Sequence, residues 1–418
     1  MERAKRMLQC PVAQVNHADQ HGHTSLWVAA KNGYEAIIEL LLNQTRIDIN
    51  QGDTLGQGPL QVAAKLGQDK AAKLLLSHPD IAVNQGDLDG KSALILAINH
   101  SDTMRILLDN PNIVVNHEDE EGMTALIHAS SYGLNDTVQL LLADPRIDIN
   151  YGDKNGATAL MVASEIGQSE TVKLLLDHPQ IDINQEDSAG YTALIQASKY
   201  GQTGPMELLL GEPQVDVNQA DNSGGTALIW TAIERRPEAM KMLLNHPEVE
   251  VNKADAHEET PLLHASQRGY ADILELLLND TNIQVNQADN RGRSALIWAA
   301  ITGNSNMIKT LVGLPNIDVN QGDNEGKTAL FWAADNSSSH IIVAGIGHLL
   351  DHPQVDVNKA NTLGETPLYA ASESGRNKPG IKRLLADSRI DVNKKAHNTR
   401  TPLIRDSSHM TSANFLNF

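Results

Sequence analysis

A single cysteine, Cys10, excludes an internal disulfide framework and any cysteine-rich metal site, and one thiol suits a reducing compartment. Aromatic residues are scarce at 3%, although 41% of the chain is hydrophobic, so Leu, Ile, Val and Ala must carry the core. Side chains of that kind suit slender, closely packed helices. No run of about 18 apolar residues is present to cross a bilayer, and the charged N-terminus lacks the apolar stretch of a secretory leader. Positive charge is also in deficit: 33 Lys and Arg against 52 Asp and Glu leave a formal net charge of −19. That balance disfavours nonspecific binding to nucleic acid or anionic membrane. The expectation is a cytoplasmic or nuclear protein, acidic, with no nucleic-acid partner and no membrane insertion.

What the chain has in abundance is repetition. The stretch HPQIDINQEDSAGYTALIQAS, starting at His178, returns 34 residues later as EPQVDVNQADNSGGTALIWTA. Anchored on the Asn of the V/I-N pair, the copies fall at Asn16, 50, 84, 116, 150, 184, 218, 252, 286, 320, 358 and 393. Seven of the first nine spacings that follow Asn50, and the first, are 34, with 32 after Asn84, 38 after Asn320 and 35 after Asn358. A period of that size marks an array in which each unit buries its faces against its neighbours.

Counting from the anchor, position eight is Thr or Ser in eleven of twelve copies, Gly58 being the exception. A hydroxyl there predicts a helix N-cap. Position nine is Ala or Pro apart from Ser25, and Pro59, Pro261, Pro367 and Pro402 suit a first helical residue, whose N–H needs no partner. Position ten is Leu throughout, small residues such as Ala163-Ser164 follow, and Gly at position seventeen ends this short helix in eight of eleven copies. A second helix, as in Thr171-Val-Lys-Leu-Leu-Leu, runs to a proline (Pro79, Pro111, Pro145, Pro179, Pro213, Pro247, Pro315, Pro353) that forbids its continuation. The His-Pro pairs at His78, His178, His246 and His352 place a histidine near the helix end, where it is expected to cap carbonyls. An extended I-D-V-N segment and a D-x-x-G turn then form a hairpin-like finger.

The recurring D-x-x-G-x-T-A/P-L-x-x-A resembles the ankyrin repeat over essentially residues 1 to 405. Two departures stand out. Where that family commonly has His after the Leu, this chain has Trp27, Gln61, Ile95, Ile127, Met161, Ile195, Ile229, Leu263, Ile297, Phe331 and Tyr369, so apolar contact replaces a hydrogen bond. One extra residue in P-x-I-D-V-N explains a period of 34. The resemblance implies an all-α solenoid, a curved array of helix-turn-helix units with short β-hairpin-like fingers. Residues 1–15 read as an N-terminal half repeat (a second helix), 16–393 as eleven repeats, and 394–418 as a truncated C-terminal repeat and tail. The short third period loses two residues around Asn99 to Thr103, the tenth gains four within DNSSSHIIVAGIGHLL, and the eleventh gains one near GRNKPG.

Little of the chain points to chemistry. His17, His21 and His23 fall in finger positions that elsewhere hold Gln, Glu, Tyr or Gly, which argues against a metal cluster. Ile341 to Gly347 lacks the third Gly of a dinucleotide loop, and Asp87 to Gly90 lacks the downstream Glu of a calcium loop. No metal, cofactor or catalytic residue is expected, and an array provides no deep pocket for catalysis.

By resemblance, partners meet the finger tips and first-helix ends, at positions four, five, seven, fifteen and sixteen. Charges at those positions sum to −1 over eleven copies, so the excess acid lies in the framework. The expected partner-binding residues are Tyr132, Tyr191, Tyr200, Lys199, Ile166, Leu66, Arg291 and Arg293, with Tyr as anchor. Trp230, Trp298 and Trp332 share position twelve, either packed between neighbours or forming an aromatic ladder for a partner. The function expected is a non-catalytic scaffold, monomeric, holding a protein or peptide segment along its concave face. The alternative is the recognition arm of a larger enzyme, channel or signalling protein.

Overall fold

The computed structural model describes residues 14–336, 340–374, 378–398 and 400–402. The expected half repeat at 1–15 lies almost wholly outside these residues, as does the tail beyond 402. The chain forms two compact units, Met1–Asp216 and Val217–Phe418. Among the described residues there are 22 helices and no strand.

In the first unit the helices are α1 (Ser25–Asn32), α2 (Glu35–Leu42), α3 (Pro59–Lys65), α4 (Asp69–Leu76), α5 (Ala93–Leu96), α6 (Ser101–Leu108), α7 (Ala125–Ser131), α8 (Asn135–Leu142), α9 (Ala159–Ile166), α10 (Ser169–Leu176), α11 (Ala193–Tyr200) and α12 (Thr203–Leu210). The second unit holds α13 (Ala227–Ile233), α14 (Pro237–Leu244), α15 (Pro261–Arg268), α16 (Ala271–Leu278), α17 (Ala295–Ile301), α18 (Ser305–Val312), α19 (Ala329–Asp335), α20 (His340–Asp351), α21 (Pro367–Ser374) and α22 (Lys378–Leu385). Within each unit the first helix of a pair packs on the first helix of the next, as α9 does on α11 and α17 on α19. Most helices are only seven or eight residues long, well short of the roughly 12 to 15 that stand alone in water. Their stability therefore comes from neighbours.

The packing explains the sequence pattern. Leu at position ten is buried in every described copy, from Leu26 to Leu368, and the residue after it is buried too, from Trp27 to Tyr369. Four of those post-Leu side chains keep a polar bond, Met161 through its sulfur, which accepts the Thr158 N–H at 3.5 Å. Trp27 Nε1 donates to the Gln57 carbonyl at 2.9 Å, and the Tyr369 hydroxyl accepts from Asn398 Nδ2 at 3.1 Å. Gly58 offers no hydroxyl to the Gln61 N–H, but Gln61 supplies the reciprocal half of the cap: its Oε1 accepts the Gly58 N–H at 2.6 Å, while its Nε2 donates to the Gln85 carbonyl at 2.8 Å. Threonine caps elsewhere act as expected, Thr24 accepting from Trp27 N–H and Thr366 from Tyr369 N–H. The two serines in that position, Ser92 and Ser294, make no such bond. Serine lacks the second Cβ substituent that restricts threonine's rotamer.

Neighbouring pairs are stitched by the anchor asparagines. In the first unit, Asn150 Nδ2 donates to the Gln180 carbonyl at 2.8 Å and its Oδ1 accepts the Asp182 N–H at 2.9 Å. In the second, Asn286 does the same with Asn316 and Asp318, at 2.7 and 2.9 Å. Within each unit backbone bonds join successive finger tips, as Leu88 N–H to Leu55 carbonyl (2.9 Å) and Asn324 N–H to Arg291 carbonyl (2.9 Å). Single antiparallel bridges at the finger bases, such as Gly152 with Thr158, are the extent of β-structure among the described residues.

The His-Pro histidines act otherwise than expected. His78, His178, His246 and His352 do not cap carbonyls; Nδ1 of each accepts the backbone N–H two residues on, at 3.2 to 3.4 Å. The intervening proline turns the chain so that this N–H faces back to the ring, and Asn110 and Asp144 accept in the same way. The short third period leaves α5 with four residues instead of eight, and the long tenth one lengthens α20 to twelve. The stretches expected to hold the extra residues of the tenth and eleventh periods include 337–339 and 375–377, which lie outside the described residues.

Among the described residues, two non-glycines occupy left-handed backbone, Arg235 (φ 51°) and Glu258 (φ 61°). Glu258 stands where the other described fingers have glycine, and the tip bond beside it, Asn290 N–H to His257 carbonyl, is stretched to 3.3 Å. A Cβ in that conformation costs about 1 to 2 kcal/mol, of which the looser unfolded chain of a glycine variant returns part. Glu258→Gly is expected to raise stability by about 0.5 to 1 kcal/mol, measured by urea unfolding. Slower amide exchange at Asn290 should accompany it; unchanged exchange and stability would refute the assignment of strain.

Candidate functional site

The ends of the first helices in the first unit carry a ridge of large side chains. Leu66, Tyr132, Ile166 and Tyr200 occupy position sixteen of four copies and are 43, 66, 47 and 43% exposed. Each stands at a helix terminus, where the chain leaves α3, α7, α9 and α11. The ridge is interrupted at the short α5. There His100 fills the space, its Nε2 3.1 Å from the Lys65 carbonyl and its ring against Gly67, where any Cβ would stand 2.5 Å from Nδ1. Lys199 Nζ lies 4.6 Å from the centre of the Tyr191 ring and 5.9 Å from that of Tyr200, joining a finger residue to a helix-end residue. Tyr191 is half-buried, its N–H held by Asp187 Oδ1 at 2.9 Å.

In the second unit the position-twelve tryptophans are half-buried, and their polar edges point at their own fingers. Trp230, Trp298 and Trp332 donate Nε1–H to Asp221, Asp289 and Asp323 at 2.7, 3.2 and 2.9 Å. His264 reaches Asp255 at 2.8 Å and, in the first unit, His128 reaches Asp119 at 2.7 Å. The turn aspartate thus has two tasks. Its Oδ1 accepts two backbone N–H groups of the finger, as Asp289 does from Arg291 and Arg293, and its Oδ2 receives the donor nine residues on. The spacing of Asp at position three and a Trp or His at position twelve was the available signal for this clasp. Composition alone does not show which edge of a ring faces inward.

Arg293 belongs to the same clasp: its Nη2 lies 2.9 Å from Asp289 Oδ2 and its guanidinium 3.9 Å above the Trp298 ring. Arg291 is an exposed finger-tip residue. The expected site residues therefore fall into two sets, the ridge with Tyr191 and Lys199 in the first unit, and the clasp residues with Arg291 in the second.

One cluster has metal-ligand composition: Asp255, Glu259 and His264, with one ligand atom of each within 4.8 Å of the others. Its bonds are already made. Arg268 Nη1, which only donates, lies 3.0 Å from His264 Nδ1, so Nε2 carries the hydrogen given to Asp255 Oδ2. Gln267 holds Glu259 Oε1 at 2.8 Å. Burial pushes the His264 pKa below its ordinary value, against the pull of the Asp255 bond and the Glu259 charge, and Arg268 lowers it further. A neutral imidazole locked between Asp255 and a guanidinium is a structural network, and a cation would have to stand beside Arg268.

Comparison with known families decides the class. A model described as "Ankyrin repeats (3 copies)" matches residues 2–87, 60–153, 146–221, 203–289 and 283–344. The chain belongs to the ankyrin-repeat family. No curated protein matches it. Ankyrin repeats generally mediate protein–protein interaction and are typically non-catalytic. Among the described residues no helix is long and apolar enough to cross a membrane.

Proposed function

We propose that this ankyrin-repeat chain is a non-catalytic scaffold that captures a protein or peptide segment on the face made by its finger tips and first-helix ends. The observation that carries the reading is the exposure of Leu66, Tyr132, Ile166 and Tyr200 at one repeated position, in a chain whose other large apolar groups of the first helices are buried or half-buried, Val28 apart. Partly exposed tyrosines are suited to anchor a partner, since they bury a large ring at low entropic cost and keep a hydroxyl for the rim. The Lys199 ammonium between Tyr191 and Tyr200 fixes their spacing and adds a charge beside the anchors.

Tyr191→Ala together with Tyr200→Ala is expected to lower recovery of a bound protein in affinity capture by about tenfold or more, a loss near 2 kcal/mol typical of a hot spot. The double variant should keep its thermal unfolding midpoint within a few degrees, because Tyr200 is 43% exposed and Tyr191 only half-buried, so neither belongs to the core. Unchanged recovery would remove these tyrosines from the site.

A further inference from the structure

We propose that the face formed by the first three described helix pairs, α1 to α6, docks an acidic peptide segment with large apolar side chains spaced about 10 Å apart. The proposal rests on the reading above that finger tips and first-helix ends meet partners, and it names the chemistry of the partner at one end of the first unit.

Three exposed leucines define the surface: Leu55 and Leu88 at successive finger tips, 58 and 66% exposed, and Leu66 at the end of α3, 43% exposed. They are held together by direct bonds. Leu88 N–H donates to the Leu55 carbonyl at 2.9 Å, which sets the two tips side by side. Lys65 Nζ, next to Leu66, lies 3.4 Å from Gln57 Oε1, and Gln57 Nε2 donates to Asp87 Oδ2 at 2.9 Å, so the helix end is tied to both fingers. Gln68 Nε2 reaches the Lys31 carbonyl at 3.2 Å and thereby joins the α1 end to the following pair.

The charge of this face runs against that of the chain. In a protein of net charge −19, the tip and helix-end positions of these pairs carry Lys31, Lys65 and Lys91 and a single carboxylate, Asp89, which lies 3.7 Å from Lys91. His21, His23 and His100 share the same positions. The framework aspartates nearby keep their charge, Asp19 being exposed, but each is fixed by its own finger: Oδ1 of Asp19, Asp53 and Asp87 each accepts two finger N–H groups. The next pair reverses the sign, with Glu120 and Glu121 at its tip, so the basic, leucine-bearing area is bounded. Apolar contact ringed by ammonium groups complements a segment that alternates large apolar and acidic residues.

Geometry sets the spacing. Packed helices lie about 8 to 10 Å apart, so equivalent positions of adjacent pairs recur at that interval. Apolar residues seven apart on a helix rise about 10.5 Å, and residues three apart on an extended strand about 10 Å. Either conformation meets the same leucines.

The test pans the full chain against a displayed library of random peptides of about 16 residues, long enough as a helix to cross three pairs. Enriched peptides are expected to be net acidic, with Leu, Phe, Met or Ile recurring at three or seven residues. Their affinity should fall about tenfold with Lys65→Glu and Lys91→Glu combined, and similarly with Leu55→Asp and Leu88→Asp combined, and should weaken as salt rises. All four positions are at least partly exposed, and matching circular dichroism confirms that the variants fold. Enrichment of neutral or basic peptides, no enrichment, or acidic peptides indifferent to both double variants overturns the proposal. Peptides that lose affinity only with Tyr191→Ala and Tyr200→Ala would overturn it while leaving the scaffold reading intact.

Discussion

Asp289→Ala is expected to destabilise the second unit by about 3 to 5 kcal/mol, the range for removing one partner of a buried ion pair. The side chain of Asp289 is fully buried, and five donors converge on it: the backbone N–H groups of Arg291 and Arg293 at Oδ1, and Arg293 Nε, Arg293 Nη2 and Trp298 Nε1 at Oδ2. Alanine leaves Arg293, whose side chain is 15% exposed, without its counter-charge, and leaves the indole N–H unpartnered. Asp153 provides the control. It occupies the same turn position and accepts from Asn155 and Ala157 N–H, but position twelve of its copy is Val162, which has nothing to donate. Asp153→Ala should therefore cost only about 1 to 2 kcal/mol, the loss of a cap. Urea unfolding gives both values, and amide exchange at Arg291 and Arg293 locates the loss. Equal costs for the two alanines would mean that the Trp–Arg–Asp clasp contributes nothing beyond the turn.

The contrast between these aspartates marks how far the sequence is legible. Period, helix starts, the invariant core Leu and the Asp-to-Gly turn follow from residue type and spacing, because a 34-residue repeat states each rule many times over. Gln61 was readable only as a departure from an apolar position; that its side chain folds back to the Gly58 N–H depends on a side-chain path of a few ångströms. The His-Pro histidines were assigned to carbonyls because helix-end electrostatics favour that choice, whereas the proline-fixed turn delivers an N–H to the ring. The ridge from Leu66 to Tyr200 was legible in composition and position, but its interruption at α5 was not, since a deletion of two residues does not say which helix gives them up.

The framework acids also explain why net charge is a poor guide to this protein's partners. The turn aspartates and the I-D-V-N aspartates give an oxygen to backbone N–H groups, as Asp187 and Asp182 do. The finger-tip and helix-end positions carry no such framework duty and vary from copy to copy, which is how Leu55, Leu66 and Leu88 come to stand with Lys31, Lys65 and Lys91 in an acidic chain.

The same economy of construction makes the finger glycines intolerant, and Gly122→Ala is expected to cost about 3 kcal/mol. Gly122 has φ +81°, and a Cβ built there would stand 2.5 Å from the Lys154 N and 3.1 Å from the Asp153 carbonyl carbon of the next finger. The left-handed conformation alone costs alanine about 1 to 2 kcal/mol. Separating the fingers also removes the Lys154 N–H to Glu121 carbonyl bond, at 3.2 Å, for about 1 kcal/mol more. The decisive readout is amide exchange at Lys154, which belongs to the neighbouring copy and has no covalent proximity to the substitution. Faster exchange there, with urea stability lowered by roughly the stated amount, would show that each finger is held by the next. Exchange accelerated only within residues 119–123 would show that the fingers are autonomous turns, and the tip-to-tip ladder would lose its place in the stability of the array.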